Sequence, residues 1–121
     1  MFSDMKDCVF CKIVKGELPS KKEYEDEDLL VFQNINPIAP VHVLIIPKKH
    51  IKNLSEVESG DKEVLGKMLL ISRKMAERLG IAGAFRVAVA NGENAGQSVY
   101  HLHMHLTGGW KGKYNRDEDK A

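Results

Sequence analysis

The sequence predicts an α+β fold with a five-stranded, mostly antiparallel sheet, one long helix and a short N-terminal helix. Two patterns support this prediction. Apolar residues recur at steps of three and four through residues 61–79, which is the spacing of an amphipathic helix. Residues 100–106 alternate between histidine and apolar side chains, as expected of a strand with two different faces. With 121 residues, the chain is long enough for one core and short for two.

The first elements are bounded by turn-forming residues. Residues 8–14 predict a short helix, which Gly16 and Pro19 end. Residues 23–25 and 29–34 predict a hairpin across the acidic turn of residues 25–28.

The remaining elements complete the sheet. Residues 42–46 are continuously apolar after a histidine and predict a buried strand that Pro47 closes. The long helix over 61–79 follows, and residues 85–90 and 99–107 predict the last two strands. We expect the helix to cover one face of the sheet.

Three histidines, His101, His103 and His105, occupy alternate positions of the last predicted strand. Successive side chains of an extended chain point to opposite faces, so these three share one face and the apolar residues between them share the other. On a helix, steps of two would scatter the rings. Strands favour β-branched and aromatic residues, so a row of imidazoles indicates function. Imidazoles can bind a metal or act as nucleophiles and proton carriers, and the spacing alone leaves both open.

The segment ahead of the histidines, residues 91–98, is rich in turn-forming residues and predicts a loop. Its backbone N–H groups can converge on one point, which suits a phosphate, and Gln97 and Ser98 add side-chain donors. A simple hairpin turn would have a similar composition. Directly ahead of three aligned histidines, however, the loop is typical of an anion site that faces a nucleophile.

The histidine row and its flanks resemble the histidine-triad (HIT) superfamily, whose signature alternates three histidines with apolar residues. Residues 101–107 match it, with polar Thr107 where the pattern has an apolar residue. The resemblance implies a HIT domain over residues 1–109 and a C-terminal tail over 110–121. The lead-in 96–100 and the Gly-Gly exit are most similar to the Hint branch of purine nucleoside phosphoramidate hydrolases. In this fold, two subunits commonly join their sheets in a homodimer.

The resemblance implies an enzyme that cleaves purine nucleoside phosphoramidates at the α-phosphate through a nucleotidyl-histidine intermediate. It makes His103 the nucleophile and adds His105, His42 and Ser98 to the catalytic residues. By its apolar neighbours alone, His42 would be a buried structural histidine. Three alternatives stay open: a dinucleoside polyphosphate hydrolase, a metal-dependent hydrolase, and a nucleotide-binding interaction module with little turnover. The preference between adenine and guanine is also open.

The resemblance further implies a nucleotide site. Its residues would be Val9, Phe10, Ile13, Phe32, Asn34, Ile35, Asn91, Gly96, Gln97, Ser98, His103 and His105. The apolar members would form a slot for the purine, although without the resemblance they are ordinary core positions. Asn34 stands where the Hint pattern has an acidic residue that binds both ribose hydroxyls, and an amide lacks that charge assistance. Ala90 stands where relatives carry a polar amide.

The two cysteines, Cys8 and Cys11, form a C-x2-C pair, which in a cytosolic protein indicates metal binding or redox chemistry. The βαβ context of a thioredoxin is absent, and a tetrahedral zinc site needs two more ligands. Many bacterial HIT proteins resemble this chain in joining such a pair to two histidines, which here are His50 and His101. We therefore expect a structural zinc ion, with two reduced thiols as the alternative, and no cofactor for the chemistry.

Composition sets the remaining expectations. A net charge of +1 without a basic block gives no reason to expect nucleic-acid or membrane binding. The first residues lack an apolar signal segment, so we expect a cytoplasmic protein. Its expected partners are AMP or GMP derivatives and a second copy of the chain.

Overall fold

A computed structural model describes residues 7–114, so residues 115–121 of the predicted tail lie outside the described residues. The strands are β1 (Lys22–Glu25), β2 (Leu29–Gln33), β3 (Val41–Pro47), β4 (Phe85–Ala88) and β5 (Met104–Gly108). The α-helices are α1 (Val9–Val14) and α2 (Lys62–Arg78). The predicted α+β class, with its short first helix and long second helix, is confirmed.

The five strands form one sheet in the order β1-β2-β3-β5-β4, and each neighbouring pair is antiparallel. The chain crosses over through α2 after β3 and returns as β4 at the edge, so β5 lies between β3 and β4. His105 on β5 therefore faces Leu44 on one side and Ala88 on the other. The last strand is thus held on both of its edges.

Each face of the sheet packs against one helix. On one face, Leu102, Met104 and Leu106 are buried in a core that includes Met68 and Met75 of α2. On the opposite face, α1 contributes to a second core around β2 and β3, whose members include Phe10, Ile13, Phe32 and Leu44. Each large apolar side chain that is fully buried stabilises the fold by about 1.5–3 kcal/mol. The α2 core is the larger of the two, so it provides the rigid support beneath the histidine row.

The last strand is shorter than predicted. The prediction of a strand from residue 99 is wrong for residues 99–103, because β5 begins at Met104. Before Met104 the backbone no longer pairs with β3, and the N–H of Leu102 donates instead to the carbonyl of Ile51 at 2.6 Å. The predicted strand 85–90 likewise ends early, at Ala88.

The helices within residues 7–114 include none that is long and apolar enough to cross a membrane.

Candidate functional site

The three histidines of the row lie on one side of the chain, although only His105 is within β5. The apolar residues between them are buried beneath α2. The ring centroids of His103 and His105 are 5.0 Å apart. Two further histidines extend the row at its ends: His42 lies 5.1 Å from His105, and His50 lies 5.1 Å from His101, between ring centroids. All five histidines of the chain therefore belong to one connected group.

His101 is fully buried, and its protonation is determined by the backbone. Its Nε2 lies 2.7 Å from the carbonyl oxygen of Pro47. A carbonyl only accepts, so Nε2 carries the hydrogen and Nδ1 keeps a lone pair. Burial, opposed by that hydrogen bond and assisted by His50 and His103, lowers the pKa of His101 to about 4. The ring is neutral near pH 7, and its Nδ1 faces two sulfur atoms.

These sulfur atoms belong to Cys8 and Cys11. The Nδ1 of His101 lies 3.4 Å from Cys8 Sγ and 3.5 Å from Cys11 Sγ, and the Nδ1 of His50 lies 3.2 Å from Cys11 Sγ. In a tetrahedral site with metal–sulfur bonds of about 2.3 Å and metal–nitrogen bonds of about 2.0 Å, sulfur and nitrogen ligands are separated by about 3.5 Å. One ligand atom from each of the four residues lies within 4.8 Å of the others. These four residues could hold a metal ion, and they are the four that the sequence predicted.

Electrostatics at this cluster also suit a cation. Burial is the largest of the effects that raise the pKa of the Cys11 thiol to about 12, and the adjacent Cys8 adds to it. The Cys11 thiol therefore resists ionisation, whereas a bound cation would favour its thiolate. The cluster would join the start of α1, which Cys8 caps by accepting from the N–H of Cys11, to the segment before β5.

His103 is also buried, with 6 % of its surface exposed, but its ring is oriented in the opposite sense. Its Nδ1 lies 2.7 Å from the carbonyl oxygen of His101, so Nδ1 carries the hydrogen and Nε2 keeps the lone pair. The Phe10 ring packs nearly perpendicular to it, at 5.1 Å between centroids. Burial lowers the pKa of His103 although the carbonyl bond opposes it. A neutral imidazole with a fixed lone pair on Nε2 can act as a nucleophile.

His42 and His105 form a hydrogen-bonded pair. The N–H of Ile38 donates to His42 Nδ1 at 3.2 Å, so the hydrogen of a neutral His42 is on Nε2. This Nε2–H donates to His105 Nδ1 at 2.9 Å, which leaves the hydrogen of His105 on its own Nε2. His42 also lies 3.2 Å from Asn34 Nδ2, and the Asn34 side-chain oxygen accepts from the N–H of Asn36. His105 can therefore donate a hydrogen bond while His103 accepts one.

Two cavities meet at these histidines. The first, of about 260 Å³, is mostly apolar. The predicted nucleotide residues that line it are Val9, Phe10, Ile13, Phe32, Asn34, Ile35, Ser98, His103 and His105. The second, of about 520 Å³, shares Asn34, Asn36, Ser98, His103 and His105 with the first. Among the residues that line only the second are His42, Arg86, Ala90 and Gly96.

Two of the predicted nucleotide residues, Gln97 and Asn91, line neither cavity. Gln97 is 3 % exposed, and its side chain accepts from Asn53 and Gly92 while donating to the carbonyls of Lys52 and Val99. Asn91 accepts from the N–H of Leu54. The expectation that Gln97 donates beside a phosphate is therefore corrected: both side chains bond the loop to itself and to residues 52–54.

The sequence did not identify several residues of the first cavity. Ser20, Asn36, Leu44 and Val99 line it in addition to the predicted set. Ser20 follows Pro19, which was interpreted only as the end of the first helix. The pairing of Lys22 with Phe32 carries Ser20 towards the end of β2, a juxtaposition that depends on strand register. Arg86 of the second cavity is one charged residue in an edge strand and has no motif of its own.

Comparisons with known proteins agree with this geometry. The family profile "HIT domain" matches residues 15–112. An uncharacterized HIT-like protein of Synechocystis is 45 % identical over 86 % of this chain and 91 % of its own length. A HIT family hydrolase from Clostridium thermocellum is 48 % identical, with a TM-score of 0.86 over 91 % of this chain and 96 % of its own.

Two further structures are informative about the site. A histidine triad nucleotide-binding protein from Candida albicans has a TM-score of 0.76 at 35 % identity, over 89 % of this chain and 85 % of its own. A zinc-bound histidine triad family protein from Mycobacterium smegmatis has a TM-score of 0.78 at 31 % identity, over 90 % and 79 %. With the family profile matched over most of its length and its histidines placed as described, the chain belongs to the HIT family, whose hydrolases are among its structural neighbours.

Proposed function

We propose that this protein is a nucleotide hydrolase or nucleotidyl transferase that cleaves purine nucleoside phosphoramidates at the α-phosphate, with His103 as the nucleophile. The observation that supports this most directly is the orientation of the His103 ring. Its Nδ1–H donates to the carbonyl of His101 at 2.7 Å, and the ring lies where the two cavities meet. The unprotonated Nε2 is thereby fixed without a separate general base.

In the first step, the lone pair of His103 Nε2 attacks the α-phosphorus while the phosphorus–nitrogen bond to the leaving amine breaks. The amine keeps that electron pair and takes a proton from water. The His103 ring then carries a positive charge, which its Nδ1–H shares with the carbonyl of His101. The Nε2–H of His105 and the hydroxyl of Ser98 donate to the non-bridging oxygens, which must be stabilised as the bonds change.

In the second step, water attacks the phosphorus and the bond to His103 Nε2 breaks. The electron pair returns to the imidazole, a proton is released to solvent, and the nucleoside monophosphate leaves. His42 acts through His105: its Nε2–H donor bond keeps the hydrogen of His105 on the nitrogen that faces the phosphate. Covalent catalysis of this kind divides one difficult displacement into two easier ones.

The two cavities suggest how the substrate lies. The first has the aromatic walls Phe10 and Phe32, whose rings pack edge to face at 5.5 Å between centroids, and suits a purine nucleoside. The second would hold the leaving group. Because His103, His105 and Ser98 belong to both linings, the phosphorus would lie at their junction. Asn34 is shared as well and would contact the ribose.

We propose that the ion of the cysteine–histidine cluster is zinc. Two sulfur and two nitrogen donors at near-tetrahedral separations are the ligands of a closed structural site. The zinc-bound relative from Mycobacterium smegmatis supports this choice of metal. When bound, zinc supplies a cross-link between α1 and the segment before β5, and Cys8, Cys11, His50 and His101 would hold it. No step of the reaction requires it.

A second candidate substrate is a dinucleoside polyphosphate, which the second cavity favours. Arg86, whose guanidinium lies 4.3 Å from the centre of the Tyr114 ring, lines it, and none of the described residues that line it is acidic. A phosphate-bearing leaving group would meet a positive side chain there. Comparing AMP release from an adenosine phosphoramidate and from a diadenosine polyphosphate would decide between the two substrates.

We also propose a homodimer. Strand β4 is an edge of the sheet, and α2 exposes Leu69 and Leu70 at 59 % and 68 %. An unpaired edge strand and exposed leucines are each typical of a surface that pairs with another chain. Analytical ultracentrifugation would give the mass of the assembly, and a monomer at micromolar concentration would contradict this proposal.

The experiment that tests the function is rapid-quench mass spectrometry with an adenosine 5′-phosphoramidate. The reaction is stopped in cold alkali, where a histidine–phosphorus bond survives. We expect wild type to show a transient adenylyl adduct and to form AMP, whereas His103→Ala forms no adduct. AMP formation at the wild-type rate by His103→Ala would exclude His103 as the nucleophile.

A further inference from the structure

The first cavity contains a buried polar atom that the proposed reaction does not use, the hydroxyl oxygen of Ser20. Ser20 lines the cavity, and its Oγ has no hydrogen-bond partner within residues 7–114. One other side-chain nitrogen or oxygen is in this state in the described part of the chain, His50 Nε2 at the metal cluster. Buried hydroxyls are ordinarily hydrogen-bonded. Because Ser20 lines the cavity, rotation of its side chain can turn this unbonded hydroxyl towards a ligand that supplies the partner.

The position of Ser20 is fixed by its neighbours in the chain. Pro19 restricts the backbone just before it. Directly after it, the carbonyl of Lys21 accepts from the N–H of Gln33 at 3.0 Å, and β1 begins at Lys22. The backbone of Ser20 therefore lies beside the end of β2 with little freedom to move, and only rotation of the side chain can bring the Oγ to a partner.

The rest of the lining explains why this oxygen matters. The walls around Phe10, Ile13 and Phe32 are apolar and would contact the faces of an aromatic ring. Gln33 and Asn36 also line the cavity, but both are exposed, and Gln33 donates to Glu23 at 2.6 Å, so a bond from them to a ligand replaces a bond to water or to Glu23. At Ser20 Oγ, a ligand bond replaces nothing, and its net contribution is correspondingly larger.

We infer that Ser20 Oγ hydrogen-bonds a polar atom on the edge of a purine base that lies against Phe10 and Phe32. This inference rests on the proposed function, because it places the nucleoside in the first cavity. A hydroxyl both donates and accepts, so it can pair with an amino group, an oxo group or a ring nitrogen. Ser20 thus accepts adenine and guanine alike and selects against bases that lack a polar atom at that edge.

The test is a series of base-edited ligands. The dissociation constants of AMP and of the 5′-monophosphates of purine riboside, 1-deazaadenosine, 3-deazaadenosine and 7-deazaadenosine are measured by titration calorimetry. Wild type is compared with Ser20→Ala. We expect Ser20→Ala to weaken AMP binding by about three- to tenfold. The ligand whose edit removes the base atom that Ser20 contacts should bind wild type more weakly than AMP does, by a similar factor. Ser20→Ala should not weaken the binding of that ligand any further.

Two control variants separate hydrogen bonding from packing. Ser20→Cys nearly keeps the volume of the side chain with only a weak hydrogen-bonding group, so it should behave like Ser20→Ala. It also replaces Ser20→Ala if that variant does not fold. Gln33→Ala removes an exposed polar side chain from the same cavity, so any weakening that it causes should be by the same factor for every ligand of the series.

Unchanged AMP binding in the Ser20 variants, or weakening by one factor for every ligand of the series, would overturn the inference. If wild type forms the histidine adduct while Ser20 shows no coupling to the base, only this inference fails. If wild type does not bind AMP at millimolar concentration, both the inference and the proposed function fail.

Discussion

His101 and His103 are two residues apart on the same side of the chain, yet their environments prepare them for opposite roles. Both rings are buried, and each donates one hydrogen to a backbone carbonyl at 2.7 Å. His101 donates through Nε2 to Pro47, which leaves Nδ1 for the two sulfur atoms. His103 donates through Nδ1 to His101, which leaves Nε2 at the junction of the cavities.

The comparison shows that burial and residue type do not distinguish a metal ligand from a nucleophile. The distinction lies in which nitrogen the backbone protonates and in what faces the other nitrogen. We call His101 and the cysteine–histidine cluster the metal end of the histidine row, and His103 at the junction of the cavities its cavity end. The two ends are connected, because the carbonyl that orients His103 belongs to His101. We therefore expect a lesion at the metal end to affect both stability and rate, and a lesion at the cavity end to affect rate alone.

The largest expected effect is at the cavity end. His103→Ala should lower kcat by about a thousandfold or more, because no other described group is positioned to replace Nε2. AMP binding should persist, and the midpoint of thermal unfolding should stay within a few degrees of wild type. Stopped-flow turnover and calorimetry measure these quantities. A variant that loses AMP binding and keeps substantial turnover would remove the proposed distinction between the two ends.

At the metal end, stability should respond most. Cys8→Ser removes a metal ligand while its hydroxyl can still cap α1, so we expect the free energy of unfolding to fall by about 3 kcal/mol through loss of the ion, and the zinc content to fall with it. The measurements are chemical denaturation and metal analysis by mass spectrometry. Chelator treatment of wild type should reproduce the loss of stability and have no further effect on the variant. Full zinc content in Cys8→Ser would contradict the assigned ligands.

The free energy of unfolding should also depend on pH through groups outside the histidine row, and the carboxyl of Asp26 is one of them. Burial raises the pKa of the Asp26 carboxyl, but hydrogen bonds from Tyr24 and from the N–H groups of Asp28 and Leu29, with Lys67, outweigh it, so the pKa is about 2. This depressed pKa stabilises the folded state fully above the unfolded value near 3.8, and the contribution is lost as pH falls towards 2.

Asp26→Asn should therefore lower the free energy of unfolding by about 2 kcal/mol at pH 7 and flatten its decline between pH 5 and pH 2. Denaturation at several pH values measures both effects. Acid sensitivity that remains in the variant then belongs to other groups, the metal cluster among them. If the free energy of unfolding of Asp26→Asn depends on pH as that of wild type does, Asp26 is not the cause of the loss of stability at low pH.

The sequence predicted the elements that depend on local pattern. The period of residues 61–79 gave α2 to within one residue at each end, since its bounds are Lys62 and Arg78. The alternation of residues 101–106 gave the two faces of the histidine row. The four metal-cluster residues were predicted from the cysteine pair and the family resemblance, and the structure brings them together.

What the sequence did not predict depends on partners far along the chain. Polar residues in a glycine-rich loop can bind a ligand or bond the loop itself, and the pattern is the same for both. Gln97 takes the second role because Asn53 and the carbonyl of Lys52 lie beside it. The start of β5 was misplaced for the same reason, since Ile51 accepts the hydrogen bond of Leu102.

The smallest expected effect is at Asn34, which borders both cavities and lies 3.2 Å from His42 Nε2. Asn34→Asp would place a charged acceptor where the ribose hydroxyls are proposed to bind, and a charge-assisted hydrogen bond is stronger than a neutral one. We expect AMP to bind about three- to tenfold more tightly and 2′-deoxy-AMP to gain less, as measured by titration calorimetry.

Asn36→Asp is the matched control, because Asn36 is exposed and lines the same two cavities. It adds the same charge without the position beside His42, so it should leave the ratio of AMP to 2′-deoxy-AMP affinity unchanged. An equal change of that ratio in both variants would mean that charge at the rim, and not contact with the ribose, determines the preference. A change confined to Asn34→Asp would place ribose recognition at the residue beside His42, and so join substrate selection to the cavity end of the histidine row.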